Sequence, residues 1–285
     1  MSGFGNPTEI GVAQYLSMTI EEIGDGTDVL PHTQGHFPGT TTTLDSEGRL
    51  GTDLLTCIID SIGGMTSGLA SLPDWIVTTN LMIRRAPDAL IGTRGTGPLT
   101  LDTQVLRRGR SSVVTRVETT DANGEVVATA WMSCAVLTPA NGPPQFVRPV
   151  RPYEREAPSD PIFFRPTNEF FNLSAGSIPG MVSLAVEQRL QNPWGILHGG
   201  SSAVALDAAA RSVVLGRPTA EATPEVIVTD LAVHYLSPGR VGPILAHATL
   251  AGRRGLDHLV RVEVRDEGAE DRLMVLAMVT VHRLD

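Results

Sequence analysis

A His-Gly-Gly segment that precedes a long apolar stretch is the part of the sequence best suited to chemistry. The segment Asn192–Gly200 reads Asn-Pro-Trp-Gly-Ile-Leu-His-Gly-Gly and lies between a predicted strand and a predicted helix. Its glycines let a ligand approach the backbone, and free amides at a helix N-terminus stabilise a carbonyl oxygen that gains negative charge. Asn192 and His198 could add side-chain donors or brace this His-Gly-Gly loop. A plain tight turn into the helix is the structural alternative.

A carboxylate follows the loop inside the apolar stretch. Asp207 stands seven residues after Gly200, among Ala, Val and Leu. Aspartate is a poor residue for a helix interior and is costly to bury without a partner. Burial tends to raise a carboxylate pKa, which suits a general base or a nucleophile. An ion pair with Arg211, one helical turn later, is the structural alternative, and both interpretations are compatible.

The sequence repeats itself once. The segment Arg49–Asp60 parallels Ile196–Asp207, and Val77–Ile83 parallels Ile227–Val233, so Asp60 occupies the position of Asp207 in the first half. A single internal repeat predicts two similar units. Asp60 has Gly64 in the position of the arginine that follows Asp207, so its partner must come from elsewhere in the fold.

Each half is predicted to contain one apolar helix followed by long antiparallel strands. A helix that is apolar nearly all round, as at Ser202–Leu215, has to be enclosed by a sheet. We therefore predict an α+β fold in which each unit is a curled antiparallel sheet around one central helix. The second-half elements are a helix at about 200–215 and strands at about Val182–Leu190, Glu225–Leu236, Ile244–Arg254, Asp257–Asp266 and Leu273–Arg283.

A proline-rich segment separates the halves. Residues 138–166 contain eight prolines, which favours a stiff, extended linker over a folded element. We place the units at 1–150 and 151–285.

These motifs together resemble the PaaI-like hotdog acyl-CoA thioesterases. The resemblance rests on the His-Gly-Gly loop, the Asp nine residues after its His, the Val-Thr-Asp-Leu strand and Tyr235–Gly239, and it covers nearly all of the second half. The first half resembles the same fold less closely, with Leu50–Asp53 in place of Leu197–Gly200. The resemblance implies a double hotdog with active sites between the paired units and acyl-CoA thioesters as substrates, coenzyme A entering only as part of the substrate.

The two carboxylates are expected to serve different clefts. Asp207 lies about 10 Å along the helix from Gly200 at about 1.5 Å per residue, too far to share one carbonyl with the helix start. We predict that the His-Gly-Gly loop faces Asp60, and that Asp207 faces the degenerate segment around Gly51.

On this interpretation the Gly199 amide, with Asn192 or His198, polarises the thioester carbonyl. An Asp then attacks the carbonyl or activates water. Gly200 and Trp194 are predicted to contact the substrate. Arginines that recur in both halves are candidates for the coenzyme A phosphates, with a solvated strand end as the alternative for each. They are Arg84, Arg85, Arg107, Arg108, Arg253 and Arg254.

Two rival functions stay open. Gly35–Gly39 resembles the His-Phe-Pro-Gly loop of hotdog dehydratases, which implies hydration or dehydration of an acyl thioester by His36 facing Asp207. In that family the helix follows quickly, whereas residues 40–48 intervene here. The degenerate first-half segment favours a different class, a non-catalytic acyl-CoA-binding protein.

Composition excludes several classes. The net charge is −9, which argues against a nucleic-acid partner. Every basic residue is arginine, which excludes Schiff-base and Walker lysines. Two cysteines are too few for a disulfide framework or a cysteine zinc site, and the histidines lack metal spacing. No apolar run or leader predicts membrane insertion, so we expect a cytoplasmic protein. Exposed sheet edges favour a homo-oligomer of double hotdog chains.

Overall fold

The computed structural model describes residues 11–28, 30–39, 49–86, 98–138, 148–151 and 165–284. The helices are α1 (Val12–Leu16), α2 (Thr52–Ser71), α3 (Thr167–Phe170) and α4 (Gly199–Leu215). The first-half strands are β1 (Thr19–Ile23), β2 (His32–Phe37), β3 (Trp75–Arg85), β4 (Leu99–Arg108), β5 (Ser112–Thr120) and β6 (Val126–Leu137). The second-half strands are β7 (Ser174–Ala175), β8 (Met181–Leu184), β9 (Val226–Tyr235), β10 (Ile244–Arg254), β11 (Asp257–Asp266) and β12 (Arg272–Arg283).

The twelve strands of the described residues form one sheet in the order β1-β2-β4-β5-β6-β3-β9-β12-β11-β10-β8-β7. The order of the second half mirrors that of the first, as the internal repeat predicts. The halves join where β3 and β9 pair antiparallel, with Leu81 opposite Val233. This junction brings the two central helices side by side, so a site between them draws residues from both halves.

The central helices are enclosed as the apolar pattern predicts. Helix α2 is long and apolar enough to cross a membrane by length and composition alone, but 78% of that segment is buried inside the protein. Helix α4 packs on the strands of its own half and against α2. A Cβ added at Gly200 would lie 2.4 Å from Cys57 Sγ and 2.8 Å from its Cα. The helices therefore touch at their N-terminal parts, and only glycine fits at position 200.

One predicted strand is shorter in the structure than the sequence indicated. The strand expected at Val182–Leu190 ends at Leu184, because Gln188–Leu190 form a 3-10 helix that buries Leu190 in the core. The Leu190 carbonyl accepts the backbone N–H of His198 at 2.9 Å, which ties this turn to the His-Gly-Gly loop.

Of the predicted linker, residues 139–147 and 152–164 lie outside the described residues, so the boundary near 150 stays a prediction.

Candidate functional site

A cavity of about 550 Å³ lies where the two halves meet. Helix α2 and the start of β3 contribute one wall, and the His-Gly-Gly loop with the segment Tyr235–Arg240 contributes the other. Asp60, His198 and Arg240 are the ionisable side chains other than tyrosine that line it among the described residues. Most of the remaining wall is apolar, which suits a ligand with a long or bulky hydrocarbon part.

Asp60 reaches across from the first half to the start of the second-half helix. Its side chain is 5% exposed, and Oδ2 accepts the Gly200 backbone N–H at 3.0 Å. Oδ1 accepts the Thr78 hydroxyl at 2.9 Å, and His198 Nδ1 lies 3.4 Å from Oδ2. The N-terminus of α4 favours a negative charge at this position. The structure thus brings Asp60, and not Asp207, to the His-Gly-Gly loop.

The loop presents one backbone donor to the cavity. His198 is the N-cap of α4 and its Nδ1 accepts the Gly200 N–H at 3.1 Å, so that amide is shared between His198 and Asp60. Gly200 itself does not line the cavity. Its N–H is bonded to Asp60 and His198, so the predicted contact between Gly200 and the substrate is not supported. Gly199 does line the cavity, and its N–H meets no acceptor within the described chain. A Cβ at Gly199 would lie 2.8 Å from Asp60 Oδ2, so glycine also permits the close approach of the carboxylate.

Tyr235 holds the peptide that follows this donor. Its hydroxyl donates to the Gly199 carbonyl at 3.1 Å. Burial, and then the charge of Asp60, raise the pKa of Tyr235 well above its usual value, so the hydroxyl stays protonated as a donor. Sequence reasoning assigned no role to Tyr235 or Thr78. The Tyr-Leu-Ser-Pro-Gly motif was the signal for Tyr235. Thr78 had no such signal, because a β-bulge between Thr78 and Asn80 interrupts the alternation that buries Leu81 and Ile83 and turns Thr78 toward Asp60.

Asn192 braces the loop, which was one of its two predicted roles. Its Oδ1 accepts the backbone N–H groups of Trp194 at 2.9 Å and Ile196 at 3.4 Å. Trp194 lines the cavity and meets Trp75 edge to face, with ring centroids 6.1 Å apart. The Trp194 indole N–H is buried and has no partner among the residues described. The two rings form an aromatic wall beside the loop.

Asp207 lies in a second cleft that is nearly closed. Arg211 Nε donates to Asp207 Oδ2 at 2.6 Å and Arg211 Nη2 lies 3.8 Å from Asp53 Oδ2, so the ion-pair alternative describes this residue. Gly51 and Thr52 line the cleft, but its volume is about 30 Å³, the room of about one water molecule. Burial raises the pKa of Asp207 to about 6, although Arg211 opposes the rise. The expectation that Asp207 meets a substrate is therefore corrected.

None of the six candidate phosphate-binding arginines lines the cavity. Arg84 pairs with Asp230 across the β3–β9 junction at 3.1 Å, and Arg85 is buried and donates to the Leu50 carbonyl at 2.7 Å. Arg253 donates to the carbonyl of its own hairpin, and Arg254 is exposed at the end of β10. In the structure these arginines lie at strand ends, either on the exterior of the protein or close to the closed cleft. Arg240, which sequence reasoning missed, does line the cavity.

His36 does not face Asp207. It lies on β2 near the outer edge of the sheet, exposed, with Nδ1 3.4 Å from Thr100 Oγ1. It lines neither the cavity nor the closed cleft. The geometric condition for the dehydratase interpretation is absent. No group of three or more His, Cys, Asp or Glu side chains within the described ranges could hold a metal ion.

Comparisons with known proteins agree with the fold. Residues 195–272 match the family model described as the thioesterase superfamily. A search of curated protein sequences gives no match. Solved structures superpose over nearly the whole chain, which confirms the double hotdog fold; the narrower PaaI-like resemblance stays a prediction.

Three similar structures illustrate the match. A tesB protein from Mycobacterium avium subspecies paratuberculosis is 12% identical, with a TM-score of 0.60 over 96% of this chain and 98% of that one. Acyl-CoA thioesterase II TesB2 from Mycobacterium marinum is 13% identical, with a TM-score of 0.56 over 96% and 98%. An acyl-ACP thioesterase from Bacteroides thetaiotaomicron is 12% identical, with a TM-score of 0.55 over 91% and 100%.

Proposed function

We propose that this protein hydrolyses an acyl thioester in the cavity between its two halves. One observation carries the proposal: the Asp60 carboxylate and the unpaired Gly199 amide line the same cavity from opposite walls, one from each half of the chain. The match of residues 195–272 to the thioesterase superfamily covers helix α4 and much of the second-half cavity wall, and it supports a thioester hydrolase.

The chemistry follows from these two groups. A thioester carbonyl oxygen placed at the Gly199 N–H would accept a hydrogen bond that strengthens as the oxygen gains negative charge. Asp60 would either take a proton from a water that adds to the carbonyl carbon or attack that carbon itself. The tetrahedral intermediate then breaks its C–S bond, and the thiolate leaves and is protonated. In the nucleophilic route, water then hydrolyses the anhydride formed with Asp60.

The substrate we propose is an acyl-CoA, with an acyl carrier protein thioester as the second candidate. The similar structure from Mycobacterium marinum is an acyl-CoA thioesterase by name, and the one from Bacteroides thetaiotaomicron is an acyl-ACP thioesterase. The aromatic wall of Trp75 and Trp194, together with Ile76 and Leu137, supplies apolar surface for the acyl group.

The test is thiol release by purified protein from acyl-CoA esters with short, long and aromatic acyl groups. We expect turnover above background with at least one ester, and its loss in Asp60→Asn. Acyl-CoA binding without turnover would overturn the proposal in favour of a non-catalytic binder. Consumption of an enoyl-CoA without thiol release would favour the hydratase instead.

A further inference from the structure

Arg240 is the only arginine at the cavity wall within the described parts of the chain. It is exposed, and its guanidinium forms no ion pair or hydrogen bond with any residue that the structure describes. Arg84, Arg85 and Arg253 are by contrast occupied by the protein itself. A cation that the fold leaves unpaired at the wall of a ligand-sized cavity is available to a ligand.

The backbone at Arg240 is held in place from two sides. Both carboxylate oxygens of the buried Asp266 accept backbone N–H groups, from Arg240 at 2.8 Å, Val241 at 3.1 Å and Gly242 at 2.8 Å. Burial alone would raise the pKa of Asp266, but these bonds hold it below its usual value. On the other side, the Gly239 carbonyl accepts the Leu197 N–H at 2.9 Å. The backbone of Arg240 is therefore fixed in position relative to the His-Gly-Gly loop.

The charge of the molecule shows what such a cation is suited to bind. The chain carries a net charge of −9 and Asp60 adds a carboxylate to the same cavity, so an anionic substrate is repelled except where a local cation offsets the field. A guanidinium matches phosphate oxygens in a bidentate geometry that an ammonium does not offer. Arg240 meets both requirements.

We propose that Arg240 binds a phosphate in the thiol part of the substrate and so selects thioesters of phosphorylated thiols. The proposal rests on the hydrolysis proposed above, because it places the thioester at Asp60. Coenzyme A and the prosthetic arm of an acyl carrier protein share a 4′-phosphopantetheine phosphate, and both are sources of this chemistry. Asp266 acts as a positioning residue for the segment that carries the arginine.

The experiment compares one acyl group on three thiols: coenzyme A, 4′-phosphopantetheine and N-acetylcysteamine, which has no phosphate. kcat and KM are measured for the wild type, Arg240→Gln and the matched control Arg254→Gln, an exposed arginine remote from the cavity. We expect Arg240→Gln to raise KM for the coenzyme A ester about tenfold more than for the N-acetylcysteamine ester, with little change in kcat. The wild-type preference should weaken with added salt.

The outcomes separate the sources and the two proposals. An equal effect on coenzyme A and 4′-phosphopantetheine esters assigns the shared phosphate, and an effect on coenzyme A alone assigns a phosphate of its nucleotide. Equal KM changes for all three esters, or for Arg240→Gln and Arg254→Gln, would overturn the proposal. If no ester is hydrolysed, the hydrolysis proposal fails. Titration of free coenzyme A then tests Arg240 alone, and equal affinity of wild type and Arg240→Gln refutes its role.

Discussion

The buried Asp207 allows a test in which two physical effects of opposite sign compete. Removal from water disfavours its charged form, whereas Arg211 at 2.6 Å favours it, and burial dominates so that the pKa rises from 3.8 to about 6. A folded-state pKa above the unfolded one means that the native state holds the proton more tightly. Stability from this group is therefore greatest at low pH and falls as pH rises from about 4 to about 6.

The magnitude follows from the size of the pKa change. At about 1.4 kcal/mol per pH unit, the rise from 3.8 to about 6 corresponds to roughly 3 kcal/mol in total, of which roughly 2 kcal/mol is lost between pH 4 and pH 7. Asp207→Asn removes the titration but keeps the shape of the protonated acid. We therefore expect the free energy of unfolding of the variant to gain roughly 2 kcal/mol relative to the wild type over that interval.

The assay is urea denaturation of both proteins at pH 4, 5, 6 and 7 and constant ionic strength. Asp28→Asn, at an exposed carboxylate, corrects for the loss of one negative charge. A difference that shrinks as pH rises would refute the reasoning, because it would mean that the attraction of Arg211 outweighs the cost of burial.

Three further predictions test the packing and the site. Gly200→Ala should lower the free energy of unfolding by about 1–3 kcal/mol or more, because its Cβ would overlap the facing helix. The control is Gly64→Ala, whose added Cβ would meet nothing within 4 Å, so its free energy of unfolding should stay unchanged or rise by up to about 1 kcal/mol. Equal denaturation midpoints for Gly200→Ala and Gly64→Ala would contradict the close contact between the helices. Thr78→Val should lower kcat about tenfold with KM little changed, since it removes one hydrogen bond to the Asp60 carboxylate; an unchanged kcat would show that this bond does not position the carboxylate. His36→Ala should leave thioester turnover unchanged, because His36 does not line the cavity; a large loss of kcat would contradict the location of the working site.

The helices, the long strands and the facing of Asp60 with the loop were predictable from sequence. The repeat located both central helices, and hydrophobic periodicity gave β10 and β11 with the bounds that the structure has. Gly200 and Asp207 are too far apart along α4 for both to act on the same substrate carbonyl. That single length argument pointed to Asp60 as the residue opposite the loop.

Features that depend on contacts distant in sequence were not predictable in the same way. The Arg-Arg-Gly motif recurs at Arg107–Gly109 and Arg253–Gly255, but recurrence does not reveal which end of a strand borders a cavity. Arg240 follows a recognised motif by one residue, yet its placement depends on Asp266 from the end of β11. The closure of the second cleft had a visible signal, since Arg211 stands where the first half has Gly64. Only the packed structure shows that the ion pair fills the space.

The central claim, that one cleft works and the other is closed, is tested most directly by kcat for Asp60→Asn and Asp207→Asn on the same acyl-CoA ester. Both variants are measured at pH 7 after their folding has been verified. We expect Asp60→Asn to lose about 100-fold or more, as for removal of a general base, and Asp207→Asn to stay within a few-fold of the wild type. Equal losses in the two variants, or a larger loss in Asp207→Asn, would contradict the account.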